Sequence, residues 1–162
     1  MEVGDKAARI EEYTKGQCLT FKDIDVGMEF PEVVVSPTDE VCRRYAEVVG
    51  EVGGSYDESG GAAEDPTGSI VASPTLISMY GTPSVLLSGY DPKVIPPPGN
   101  IHYSQDYEFQ DAVHPGDRLR IHSKVLAKEV RRGRNYVTTQ SEYINQRGVR
   151  VAVGRITAVW SR

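Results

Sequence analysis

The chain has 162 residues and carries 18 Lys and Arg against 23 Asp and Glu, a net charge of −5. That length fits a single domain spanning residues 1–162, which buries roughly 70% of its unfolded surface and needs neither disulfide nor structural metal to fold. With 39% apolar and 25% charged residues and no apolar run near the ~20 residues of a bilayer span, a membrane helix is excluded, and the acidic total disfavours nucleic acid as a partner. The opening MEVGDKAARIEEY is acidic where a secretory leader is basic and then apolar, and Cys18 and Cys42 are far apart. The expected location is therefore the cytoplasm, with both thiols free.

In chain order, the first predicted element is a helix in SPTDEVCRRYAEVVG. Ser36 reads as its N-cap, Pro37 as its first helical residue, and Asp39 and Glu40 fill the first turn. Val41, Tyr45, Val48 and Val49 recur at helical spacing and Gly50 ends the run. The stretch EVGGSYDESGGAAEDPTGS has five glycines and few apolar residues, so it reads as a long exposed loop, a length more often functional than idle. Ser73-Pro74-Thr75 then opens LISMYGTPSVLLSGY, whose apolar residues surround the axis. A buried helix is expected over 74–88, kinked near Gly81 and Pro83. YDPKVIPPPG, at 90–99, is a second irregular stretch.

The second half reads as strands. IHYSQDYEFQ is followed by the turn HPGD at 114–117. From 118 the chain alternates, with Leu119, Ile121, Val125 and Ala127 on one side and Arg118, Arg120, Lys124 and Lys128 on the other. The turn RRGR, a second run NYVTTQSEYINQ, the turn at 147–148 and a third run VRVAVGRITAVW complete an antiparallel meander. Gly154 inside the last run marks a bulge or a close approach. Helix first and consecutive strands last make an α+β fold in which a twisted antiparallel sheet wraps a central helix.

Several stretches together resemble the MaoC-like hydratases and dehydratases of the hotdog fold, over nearly all of residues 21–160. They are FKDIDVGMEF at 21–30, YAEVVGE at 45–51, IVASPTL at 70–76, HPGDRL at 114–119 and TTQSEYINQRGVRVAVG at 138–154. Active members carry a G-D-x-N-P-x-H signature whose carboxylate and imidazole bracket the 3-hydroxyl of an acyl thioester, one acting as base and one as acid. The aligned stretch here is GEVGGSYDE, which puts Glu51 at the carboxylate and Tyr56 at the histidine. A phenol with an ordinary pKa of ~10 replaces an imidazole poorly. Pro74 stands where active members use a glycine N–H to polarise the thioester carbonyl, and proline has none; losing such a donor costs on the order of 10²–10³ in rate. The combination is similar to the non-catalytic half of two-part dehydratases, in which a partner hotdog unit carries the Asp and His.

The resemblance therefore implies a component of a (3R)-hydroxyacyl-thioester dehydratase or enoyl-CoA hydratase system that binds the acyl chain. The alternatives are a self-sufficient hydratase using Glu51 and a hotdog acyl-CoA thioesterase. The substrate is a coenzyme A or acyl-carrier-protein thioester, with no metal and no redox cofactor. The partner is a second hotdog chain, in a homodimer or in a heterodimer with a catalytic subunit. Glu51 and Tyr56 are the catalytic candidates, and Asp57, Ser73 and Thr75 are candidate substrate contacts. Arg131, Arg132 and Arg134 are candidate phosphate contacts, because the stretch 118–134 has a net charge of +6 in an otherwise acidic chain. His102, His114 and His122 fall at no metal-ligand spacing and read as structural or surface residues. Cys42, beside Arg43 and Arg44, reads as lying on the polar side of the first helix, where a lowered pKa is conceivable but no base is near in sequence.

Overall fold

The computed structural model describes residues 20–51, 71–81 and 99–160. Strands β1 (Val33–Val35), β2 (Ile101–Phe109), β3 (Leu119–Arg131), β4 (Arg134–Ile144) and β5 (Arg150–Trp160), with helix α1 (Asp39–Val49), are its regular elements, together with two short 3₁₀ segments. The strands form one antiparallel sheet in the order β1-β3-β4-β5-β2. The expected α+β architecture and the meander are both present, and β1 lies where the sequence reading assigned no element. No helix among the described residues is long and apolar enough to cross a membrane.

Helix α1 begins two residues later than its sequence suggests. Thr38, not Ser36, is the N-cap, and its Oγ1 accepts from Val41 N at 3.2 Å. Pro37 is held outside the helix because its side chain is buried and its carbonyl accepts from Gly116 N at 2.7 Å. Gly50 closes the helix in the left-handed region, at φ 73°, where a side chain is disfavoured. The buried stripe is also rotated from the expected one: Cys42 and Ala46 face the core, whereas Val48 is 78% exposed. Cys42 and Ala46 both belong to the apolar cluster that the helix shares with the sheet. Cys42 is thus fully buried, and burial, with Asp39 adding a like-sign effect, pushes its thiol up to about 11. That is the opposite of the lowered value its neighbouring arginines suggested.

Of the helix expected over 74–88, the described part is a 3₁₀ turn, Pro74–Met79, closed by Leu76 N to Ser73 O and Tyr80 N to Ile77 O, both 2.9 Å. Residues 82–88, including Pro83, lie outside the described residues. Leu76 and Ile77 are buried but Met79 is half exposed, so this part is one-sided instead of buried all round. Its tighter i→i+3 winding leaves three residues per turn and stacks side chains in rows, which is why the apolar positions do not all turn inward.

In the meander, Val125 pairs with Thr139 but Ala127 with Thr138, so Leu126 is an extra residue in β3. This bulge reverses the alternation that follows it. Lys128, expected outside, shares the inner face with Val137, donates to Ile24 O, and lies 4.7 Å from the Phe21 ring centroid. Ala127 moves outward. His102 lies within β2.

The inner face carries two apolar clusters. One gathers α1, the 3₁₀ turn and the start of the meander around Tyr143; the other sets Ile24 against Val125, Val137 and Trp160. Between them runs a register row of small residues, Ser123, Ser141 and Gly154, continued by Tyr107 on β2. The Tyr107 ring lies so close over Gly154 that an added Cβ would sit 2.4 Å from its Cε1. Close approach, not a bulge, is the reason for that glycine.

Thr38→Ala should lower unfolding stability by about 1 kcal/mol in a denaturant titration, the usual worth of a cap. Ser36→Ala, at an exposed position with no cap bond, should change it by no more than about 0.5 kcal/mol.

Candidate functional site

The left-handed Gly50 turns the chain back so that Glu51 N bonds Ala46 O at 3.0 Å, leaving the Glu51 side chain at the end of α1. From the other side, Ala72 N donates to Val113 O at 2.7 Å, which seats Ser73 in the interior beneath the 111–118 loop. The two termini meet there. Ser73 Oγ donates to Glu51 Oε1 at 2.7 Å and lies 3.0 Å from Thr75 Oγ1. Because the single Ser73 proton goes to the carboxylate, the Thr75 hydroxyl is the donor to Ser73. Tyr45 Oη, from α1, donates to Thr75 O at 3.1 Å and fixes the same turn.

One carboxylate oxygen is therefore held by a two-hydroxyl chain. The other, Glu51 Oε2, is shielded from solvent and has no hydrogen-bond partner among the described residues. A carboxylate oriented in this way can accept a proton or a hydroxyl at the unpaired oxygen, and it supplies one half of an acid–base pair. Of the described imidazoles, His114 Nδ1 lies 3.7 Å from Asp117, His122 Nε2 is 3.0 Å from Glu32, and His102 is exposed on β2. Pro74 occupies the first turn after Ser73, where it offers no N–H to a bound carbonyl.

Three of the residues singled out from the sequence, Glu51, Ser73 and Thr75, thus come together. Tyr56 and Asp57 lie outside the described residues. Arg131, Arg132 and Arg134 lie at the other end of the meander. Leu119 follows the 111–118 loop, and β3 has 13 residues, so at about 3.3 Å per residue roughly 40 Å of strand separates its tip from the Ser73 end of the same chain.

Sequence reasoning missed a second polar cluster on the inner face. The hydroxyls of Tyr107 and Tyr143 converge on Gly81, where a Cβ would lie 2.3 and 2.1 Å from them. Gln105 Nε2 donates to Tyr107 Oη at 2.6 Å. Tyr143 Oη is buried without a geometrically sound partner among the described residues, and burial first, then the neighbouring Tyr107, raises its pKa. The one signal in the sequence was Gly154, whose missing side chain admits the Tyr107 ring.

Residues 25–153 match the family model described as FAS1-like, dehydratase domain region. The chain belongs to this dehydratase family. Solved structures with the same fold include the unliganded (R)-hydratase PhaJ1 from Pseudomonas aeruginosa, with a TM-score of 0.65 and 23% identity over 88% of this chain and 86% of that one. The MaoC-like dehydratase from Rhodospirillum rubrum gives 0.67 and 24%, over 89% and 98%. The HadBC (3R-hydroxyacyl-ACP dehydratase) complex from Mycobacterium tuberculosis gives 0.64 and 20%, over 82% and 95%. Comparison with curated proteins gives no match. The five-stranded antiparallel sheet with its α-helix is the hotdog fold of these neighbours.

Tyr143→Phe removes a buried hydroxyl that has no good partner, so it should leave thermal stability unchanged or raise it by up to about 1 kcal/mol. Calorimetric unfolding of the two proteins measures this directly.

Proposed function

We propose that this chain is the acyl-thioester-binding unit of a (3R)-hydroxyacyl-thioester dehydratase or enoyl-CoA hydratase system, and that a partner hotdog chain supplies the complete acid–base pair. The observation that carries this reading is Pro74 at the head of the 3₁₀ turn, which removes the donor that would polarise the thioester carbonyl next to Glu51. Dehydration takes a proton from C2 and protonates the departing C3 hydroxyl, releasing water, so it needs a base and an acid together. The described site offers one carboxylate. The substrate is a coenzyme A or carrier-protein thioester, and the chemistry calls for no metal or redox cofactor.

One observation favours a second reading, a self-sufficient hydratase: the buried, unpaired Oε2 of Glu51 is oriented as a working base would be. The two readings separate in a crotonyl-CoA hydration assay. The purified chain alone should show no turnover above buffer, and turnover should appear on adding a hotdog partner that carries the Asp and His. Robust turnover by the lone chain that survives Tyr56→Phe and is abolished by Glu51→Ala would overturn the binding-unit reading.

The partner is expected along β2. Eight of its nine residues are exposed, including Ile101, Tyr103 and Phe109, and its outer edge has no strand beside it among the described residues. Such an edge invites antiparallel pairing with a second strand. The Ile101 end of one chain would then lie beside the Phe109 end of the other, bringing the β3–β4 tip of one copy toward the Ser73 end of its partner. Light scattering at micromolar concentration should give the mass of a dimer, and a monomer would count against this arrangement.

A further inference from the structure

The tip of the β3–β4 hairpin breaks a local rule. Its two central residues, Arg132 and Gly133, both have positive φ, 49° and 73°. Gly133 adopts this freely, whereas an arginine there is strained where asparagine or glycine is the usual choice. Nothing in the fold requires a side chain at that exposed position. Arg132 and Arg134 have no ion pair among the described residues, so their charge serves no internal contact. Strain retained at an exposed loop points to a role outside the fold.

The surroundings indicate what that role is. Arg131 is held in place, with its guanidinium 4.1 Å from the Tyr136 ring centroid and its Nε 3.2 Å from Glu129. Tyr103, on the neighbouring end of β2, packs edge-on against Tyr136 at 5.2 Å and is 56% exposed. The Arg131 guanidinium also lies over the Tyr103 ring, 5.8 Å from its centroid, and a ring held in this way yet more than half exposed, beside three arginines that together outweigh one glutamate, matches a planar base attached to phosphates. Guanidinium groups meet phosphate oxygens without being buried, and the ring face accepts stacking. A carrier protein's phosphopantetheine offers a phosphate but no planar base for Tyr103.

We propose that Arg131, Arg132 and Arg134 with the Tyr103–Tyr136 pair form a binding surface for the phosphorylated nucleotide end of a coenzyme A thioester. This inference rests on the thioester reading above and chooses coenzyme A over a carrier protein. Within one chain the tip is too far from Glu51 to share a ligand with it. Antiparallel pairing along β2 places it instead toward the end of the partner hotdog chain that corresponds to the Glu51 and Ser73 end, so the nucleotide is held by one chain and the acyl group by the other.

The test is calorimetric titration of the full chain with coenzyme A and with adenosine 3′,5′-bisphosphate, at low and high salt. Wild type should bind both, with affinity falling as salt screens the arginines. Arg132→Gly should weaken coenzyme A binding at least tenfold while leaving the melting temperature unchanged or raised, because it relieves the strained φ. Tyr103→Ala should weaken the bisphosphate as well. Failure of wild type to bind the bisphosphate, or affinities within twofold of wild type in both variants, overturns the proposal. Hydration of crotonyl-pantetheine by wild type plus partner lacks the nucleotide altogether. It therefore reports on the thioester reading alone and distinguishes its failure from failure of the tip.

Discussion

The inner face of the β3–β4–β5 meander has to be covered by chain from outside it, and the rest of the architecture follows from that requirement. Three long antiparallel strands present Leu119, Ile121, Val125, Val137, Tyr143 and Ile156 on one side, and leaving these in water would cost on the order of 1.5–3 kcal/mol each. Helix α1 and the 3₁₀ turn cover one part through Cys42, Ala46, Leu76 and Ile77, and the segment around Ile24 covers the other. Because the covers come from two places, the core is divided. The division falls on the row where Ser123 and Ser141 hydrogen bond at 2.7 Å and Gly154 admits the Tyr107 ring.

This arrangement gives the sheet two chemically different ends. At one, the 111–118 and 145–149 loops are locked together: Gln146 bridges Asp117 and the Arg118 amide, and Asn145 Oδ1 accepts from the amides of Arg147 and Val149. That rigid end carries Ala72 and Ser73, and through Ser73 it orients Glu51. At the other end, the hairpin tip holds arginines and tyrosines in the open. The outer face between the ends is a polar ladder, in which Arg155 bonds Gln140, Asp106 and Glu108. The Arg155 contact holds the Glu108 carboxyl below its usual range, but Glu108 is exposed and Arg155 only half-buried, so the ladder contributes solubility more than stability.

Buried polar atoms without good partners are few in native folds and costly to keep. Glu51 Oε2 and Tyr143 Oη are two of them here, and both lie on the inner side, next to elements that place them closely. Glu51 is backed by Ser73 and Thr75. Tyr143 is backed by Tyr107, which Gln105 in turn holds.

The sequence alone determined the meander, its turns, the helix ahead of it and the α+β class, because period-two alternation, the glycines at 133 and 148 and the helix stop at Gly50 are all local signals. It also named Glu51, Ser73 and Thr75, through the order of short stretches shared with a known family. Only the tertiary structure decided the rest. Ser36 lost the cap to Thr38 because Pro37 is tied to Gly116, a contact across roughly eighty residues of chain. Cys42 took the buried face within the shared apolar cluster, and burial raised its thiol pKa where the neighbouring arginines had suggested a fall. The Leu126 bulge carried Lys128 inward, since alternation read along one strand cannot register an extra residue whose evidence lies in the partner strand. The Ser73–Glu51 bond and the Tyr107–Tyr143 pair join residues far apart in sequence, and that proximity is set by packing, which no local pattern encodes.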